Sequence, residues 1–469
     1  MRERFADAAW SWTSLLLAFW CAVTASPVFA QATPSNPLSM NDAIQLALKN
    51  YPAIKESRAR ANAAEAGIGL ARTAYLPRLD MVWQENRATT NNVFGFLFPQ
   101  STIGPISGPV LGTRTLADSV WGSGAGVLLS WDAVDFGQRK AAIDVARAQT
   151  EVAKQRAALT ELDVASAAAD AFLTVLAADE SVRATRANVD RLQVFTDAVR
   201  TLVKNQLRPG ADQSRAEAEL AVARNQFSQA MQIADVARAS LADAIGAAGA
   251  PIDLTREPLD VTPDVSIEAT DVKSHPAARA GQAAVDAVRA GERALDRAYY
   301  PQLRLLGTFT ARGTGAEVPG VPSFGNGLWV QVPNWALGAS LTFPAFDVFS
   351  INARKRVEAQ NELAETARYE QTIQTLTTQE VKARALMRAA TEIARNTPIE
   401  REAATAGESQ ARARYQNGLA SVTEVAEAQR LLAQAEADDA VARLGVWRAL
   451  LAAAQARGNL APFLDKVRR

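Results

Sequence analysis

The sequence holds one cysteine, Cys21, and one histidine, His275, in 469 residues. A lone thiol closes no disulfide within the chain, and with no second histidine the usual metal and nucleophile–base constellations cannot be assembled. Gly122-Ser-Gly-Ala-Gly126 is not a phosphate loop, since no Gly-Lys-Ser/Thr follows it. No catalytic residue, cofactor or metal is therefore expected. A surplus of one charge is also missing: Lys plus Arg number 50 and Asp plus Glu number 50, so nothing suggests a nucleic-acid partner. After the first thirty residues no run of about 18 apolar residues occurs, and no transmembrane helix is expected. Such a chain can cross a membrane only as a closed β-barrel, because closure alone satisfies every strand's backbone in lipid.

The N-terminus reads as an export signal. Arg2 and Arg4 form a basic start, Ser14 to Thr24 an apolar core, and Val28-Phe29-Ala30 puts small residues where a signal peptidase reads. Residues 1–30 are expected to be removed, with Gln31 starting the mature chain. Cys21 lies inside the apolar core and reads as part of it. A lipid anchor at Cys21 is the alternative, although Ala18-Phe19-Trp20 fits a lipobox poorly. An exported chain of this kind is either soluble in the periplasm or a barrel in the outer membrane.

The chain also repeats itself. Ala74-Tyr-Leu-Pro-Arg-Leu79 and Ala298-Tyr-Tyr-Pro-Gln-Leu303 stand 224 residues apart, as do Tyr51-Pro52-Ala53 and His275-Pro276-Ala277. Leu129-Ser-Trp-Asp-Ala-Val-Asp135 matches Leu341-Thr-Phe-Pro-Ala-Phe-Asp347 at an offset of 212, which also aligns Asn205-Gln206-Leu207 with Asn417-Gly418-Leu419. We read a tandem duplication, residues 31–270 and 271–469, differing by a twelve-residue insertion between Pro77 and Leu129 where a loop is expected. His275 corresponds to Tyr51, which favours a helix-start role over catalysis.

Each repeat reads as helix, two strands, long helix, turn and helix. In the first, strands are expected at 77–90 and 119–136, a long helix at 138–205, a turn at 206–211 and a helix at 212–246. In the second, a helix at 275–298 precedes strands at 301–312 and 329–346, a long helix at 351–416, a turn at 417–421 and a helix at 422–457. The helix from Gln138 to Asn205 contains no glycine or proline, and its alanine-rich faces suit side-by-side, coiled-coil-like packing. Pro77 and Pro301 mark the helix-to-strand junctions. In the strands apolar residues alternate with polar or small ones, as in Leu303, Leu305, Phe309 and in Trp335, Leu337, Leu341, Phe343. Each strand is about ten residues, the length needed to span a bilayer at a tilt, and aromatics bracket them as interfacial girdles do. Four strands cannot close a barrel whose smallest bacterial form has about eight; three chains would supply twelve. The expected fold class is α+β, with long coiled-coil-like helices joined to a transmembrane β-barrel completed by oligomerisation; a dimer's eight strands would close only around a filled lumen.

On these residues the whole mature chain resembles the TolC family of outer-membrane efflux proteins. The resemblance rests on Leu38-Ser-Met-Asn-Asp-Ala-Ile-Gln-Leu-Ala-Leu-Lys-Asn-Tyr-Pro52, the doubled Ala-Tyr-x-Pro-x-Leu, and two long helices with glycine-containing tip turns. It implies a homotrimer in the outer membrane of a Gram-negative bacterium, a long α-helical barrel joined to a transmembrane β-barrel completed by trimerisation. The trimer's tunnel would meet a periplasmic adaptor protein and an inner-membrane pump to export small molecules. The outer component of type I protein secretion is the alternative within the family; a soluble periplasmic coiled-coil adaptor is the alternative outside it. By resemblance, Asp212 and Tyr415 form a hydrogen-bonded periplasmic gate, and Glu424 and Glu427 an acidic ring at the tunnel entrance. Leu207, Arg208, Pro209 and Gly210 with Gly418, Leu419, Ala420 and Ser421 form the adaptor-contacting turns. Where some members carry an arginine in the second turn this chain has Ala420, which puts any gate bond from that position in doubt. From the residues alone, Glu424 and Glu427 read equally as solvated acids in a first helical turn. The segment Phe94-Gly-Phe-Leu-Phe98 is expected to face the cell exterior.

Overall fold

The computed structural model describes residues 37–89, 119–255, 271–315 and 325–467. The expected signal peptide with Cys21, and the loop holding Phe94 to Phe98, lie outside the described residues.

Local signals in the sequence set where the helices begin and end. Helix α1 (Met40–Asn50) starts at Ser39, whose hydroxyl accepts the Asp42 N–H. It stops before Pro52, the first residue of α2 (Pro52–Thr73), where a missing N–H costs no helical bond. The second repeat begins α5 (Pro276–Arg297) in the same way, with His275 as cap. The His275 ring is buried; its Nδ1 accepts the Ala277 N–H at 3.0 Å, and its Nε2 lies 3.0 Å from the Gln455 carbonyl. Burial pushes its pKa down, against the Gln455 carbonyl and Asp163, which push it up. The neutral ring, protonated at Nε2, thus caps one helix and ties it to another, and no catalytic role is needed to account for it.

Helix α3 (Gln138–Lys204) runs 67 residues and α6 (Val348–Gln416) 69, each about 100 Å at 1.5 Å per residue. Each folds back through a short turn, into α4 (Gly210–Ala244) and α7 (Val422–Ala456). The chain ends in α8 (Ala461–Val467). In the half nearer the turns the helices lie side by side in the order α4, α3, α7, α6; in the other half the order is α2, α3, α5, α6. Either way α6 is one free edge, and α2 with α4 is the other. The main core sits midway, where α1, α8 and the C-terminal ends of α4 and α7 wrap α3 around the fully buried Phe172, Leu173 and Val175.

Strands β1 (Arg78–Thr89), β2 (Ser119–Val134), β3 (Gln302–Thr314) and β4 (Val332–Thr342) form one antiparallel sheet in sequence order. β4 is shorter than the 329–346 that alternation suggests: Pro333 lacks a ladder donor near one end, and Phe343-Pro344 closes the other. The register pairs Leu79 with Leu129, Met81 with Val127, Val127 with Phe309, Phe309 with Trp335 and Leu303 with Leu341. Up to a bulge after Asp132, which brings Val134 opposite Leu303, odd-numbered residues of all four strands therefore share one face, and many large ones are open to the surroundings: Met81 and Leu337 at 79%, Trp335 at 73%, Leu341 at 65%. The opposite face carries Thr308, Thr310, Ser340 and the cross-strand ion pair Asp132–Arg304 at 2.6 Å. A soluble sheet would turn its apolar face to a core; this one turns it outward, along its full width.

Helix and sheet meet at two equivalent corners. α2 ends at Thr73 and β1 begins after Pro77; α5 ends at Arg297 and β3 begins after Pro301. Aromatics and arginines collect there. The Trp131 indole donates to the Tyr75 carbonyl at 3.0 Å, Arg139 lies 4.5 Å from the Tyr75 ring centroid, and Tyr300 stacks on Phe136 at 6.1 Å.

Candidate functional site

The far end of the helices, opposite the sheet, is built from two turns of one design. α3 ends at Lys204 with Asn205 as cap, Gln206 takes φ 60°, and the Leu207 N–H returns to the Leu202 carbonyl at 2.9 Å. α6 ends at Gln416 with Asn417 as cap, Gly418 takes φ 79°, and the Leu419 N–H returns to the Arg414 carbonyl at 2.8 Å. This six-to-one bond closes a helix over a left-handed residue, a position glycine occupies without strain. In the first turn a glutamine holds it instead. Replacing Gln206 with Gly should stabilise that turn by about 1 kcal/mol, read as slower hydrogen exchange of the Leu207 amide; slower exchange should be absent in Gly418→Ala.

Beyond the turns the α4 helix starts at Gly210 behind Pro209, and α7 starts behind Ser421, whose hydroxyl accepts the Glu424 N–H. The helix therefore begins two residues earlier than the 212 expected, and Asp212 stands inside its first turn. Leu207 and Leu419 project at 68% and 70% exposure. Above them all four long helices converge on a small apolar cluster of Phe195, Val199, Ala216, Ala411, Tyr415, Val422 and Val425. Tyr415 is its centre, with Phe195 edge-on at 5.3 Å.

The residues expected to form the gate meet differently from the expected hydrogen bond. The Tyr415 hydroxyl is buried and makes no hydrogen bond. Burial raises its pKa, the Asp212 charge raises it further, and Arg208 lowers it. Asp212 is thus close enough to act on the phenol by charge, but its carboxylate bonds to nothing among the described residues. The guanidinium that does reach Tyr415 is Arg208, a residue expected to face an adaptor.

The two acids beyond the second turn are paired within the chain. Arg414 bonds Glu424 at 2.8 Å and Arg430 bonds Glu427 at 2.5 Å. The Arg430 hydrogen bond and charge hold the Glu427 carboxyl below the usual carboxylate range, so it stays ionised in mildly acidic solution. Both side chains are exposed, one helical turn apart.

The model of the outer membrane efflux protein family matches residues 43–247 and 272–459, that is, both repeats separately. The chain belongs to the outer membrane efflux protein family. Solved structures agree in fold over most of the chain. The CusC channel superposes with a TM-score of 0.73 at 15% identity, covering 90% of this chain and 92% of CusC. CmeC of Campylobacter jejuni gives 0.71 at 15% identity, over 89% of this chain and 85% of CmeC. The open state of MtrE from Neisseria gonorrhoeae gives 0.71 at 19% identity, over 90% of this chain and 89% of MtrE. A search of curated proteins returns no match. As a member of the outer membrane efflux protein family the chain is an outer-membrane efflux channel protein, with a helical tunnel segment, a membrane sheet and a tandem repeat. The family and the matched structures are channels rather than enzymes.

Proposed function

We propose that three copies of this chain close a twelve-stranded barrel and a continuous helical tunnel, through which small molecules such as drugs or metals leave the cell. A periplasmic adaptor and an inner-membrane pump would feed the tunnel from its helical end. The observation that carries this reading is the pair of open edges. Among the described residues β1 and β4 are the outer strands, each paired on one side only and running in opposite directions, so β1 of one protomer can accept β4 of the next in antiparallel register. The same rotation brings α6 against α2 and α4 of the neighbour, and repeated head-to-tail contact closes a ring. The alternating faces then put Met81, Trp335 and Leu337 in lipid and Thr310 and Arg304 toward the lumen.

At the helical end, Leu207 and Leu419 with Pro209, Gly210, Gly418 and Ser421 are the surface offered to the adaptor; Ala420, expected there, is instead buried in the apolar cluster. Asp212 and Tyr415 lie where the entrance narrows. Glu424 and Glu427 would form a ring of six carboxylates in the trimer, each opposed by its own arginine. Each protomer then carries two acids and two guanidiniums in this patch. Glu424→Gln with Glu427→Gln removes six negative charges from the trimer's patch and leaves the six guanidiniums in place.

The test is to purify the protein from outer-membrane fractions and record it in planar bilayers. The wild type should crosslink as a trimer and conduct weakly, favouring cations. The double Gln variant should lower the cation-to-anion permeability ratio by about twofold or more. A soluble monomer, or an unchanged ratio, would count against the channel and the ring respectively. Crosslinking in cells and identifying the captured pump would separate small-molecule efflux from protein secretion.

A further inference from the structure

Arg208 belongs to the first tip turn, but its guanidinium is spent on the second hairpin. Its Nη2 donates to the Tyr415 carbonyl at 2.7 Å, and its central carbon lies 4.5 Å from the centroid of the Tyr415 ring. That carbonyl also accepts the Gly418 N–H at 3.0 Å, and it stands in the last turn of α6, where the helix dipole favours a cation. A planar guanidinium can stack on the ring and donate at its edge together; an ammonium cannot. The repeat counterpart of Arg208, 212 residues on, is the buried Ala420. The reach therefore runs one way only, from the first hairpin to the second.

Among the described residues no other side-chain hydrogen bond joins the hairpins at the tip; the next is the Arg191–Glu436 pair at 2.9 Å, further along α3 and α7. The Tyr415 hydroxyl is buried without a partner, and the remaining contacts in the cluster are apolar. We propose that Arg208 is the latch between the two hairpins of one protomer: a positioning residue that holds the end of α6 against the first tip turn, by the Tyr415 ring and carbonyl, and so keeps the entrance narrow. The last clause rests on reading this tip as the tunnel entrance; the latch itself does not.

The test separates the two. In a Cys21→Ser background, spin labels at Ala211→Cys and Ala413→Cys, both exposed positions, report the distance across the two hairpins. Labelled chains are diluted with unlabelled ones so that a single protomer is read. With Arg208 present the distance distribution should be narrow. Arg208→Ala should broaden it by several ångströms, and Arg208→Lys, which keeps a donor but not the stacking plane, should fall between. An unchanged distribution in Arg208→Ala trimers would overturn the latch, as would equal broadening in Arg208→Lys. The same trimers are then placed in bilayers. A several-fold higher conductance for Arg208→Ala ties the latch to the entrance. Broadening without a conductance gain keeps the latch and removes the entrance reading.

Discussion

Leu337→Arg should abolish stable insertion of the assembly, whereas Ala336→Arg, one residue away at the same depth, should insert and conduct. Leu337 sits mid-strand in β4 opposite Gly307, with 79% of its surface open. It lies on the face shared by Met81, Val127, Phe309 and Leu341. In a closed barrel that face meets hydrocarbon, where an arginine near the midplane costs about 2–4 kcal/mol per chain. Three chains multiply that cost. Ala336 pairs with Thr308 on the opposite face, where water solvates a charge and the main effect is on ion selectivity. The measurement is the heat-resistant oligomer on a semi-native gel from outer-membrane fractions. Equal amounts of oligomer for the two variants would mean that the faces are assigned the wrong way round or that the sheet does not line a bilayer.

Phe172→Ala should lower the stability of the helical body by about 3–5 kcal/mol. Phe172 is fully buried in α3, where α1 and the C-terminal ends of α4 and α7 pack against the same stretch. Helices about 100 Å long gain little from propensity alone, so this belt is where the protomer is fastened. Losing the ring leaves a cavity that four helices with fixed partners cannot collapse to fill. Val194→Ala, on the same helix but 71% exposed, should change stability by no more than about 0.5 kcal/mol. Thermal melts followed by helical circular dichroism compare them. If both variants melt together, the central belt is not what holds the helices in place.

Much of the architecture was legible because its signals are local. Prolines 52 and 276 follow the residues that cap the next helices, and the period-2 alternation of Leu303, Leu305 and Phe309 fixes a strand face without any knowledge of its neighbours. The tip was legible only as a pair of similar turns. Arg208 could not be assigned, because its acceptor is a backbone carbonyl 207 residues away, and every residue offers a carbonyl. The pairing of Glu424 and Glu427 with Arg414 and Arg430 was hidden for a related reason: arginines are plentiful on these helices, and spacing does not choose between them.

The long α6 shows tertiary context overriding a breaker. Pro398 lies inside it, yet the helix continues to Gln416. Beside it the buried Thr397 hydroxyl bonds Asp439 of α7 at 3.3 Å, and Asp439 also accepts from Arg401 at 2.8 Å and Arg443 at 3.0 Å. Contacts from the neighbouring helix on both sides of the proline keep the axis running where an isolated helix would break.

The one-way reach of Arg208 bears on the outline of the pore. Six hairpins around a ring would be equivalent if the two repeats had stayed alike, and the mouth would be a hexagon. Gene duplication freed the halves to diverge, so arginine-bearing and alanine-bearing tips alternate. In the proposed trimer each arginine would draw together the two hairpins of its own chain, not hairpins of neighbouring chains. Such a mouth would have three corners and would dilate along three seams rather than six.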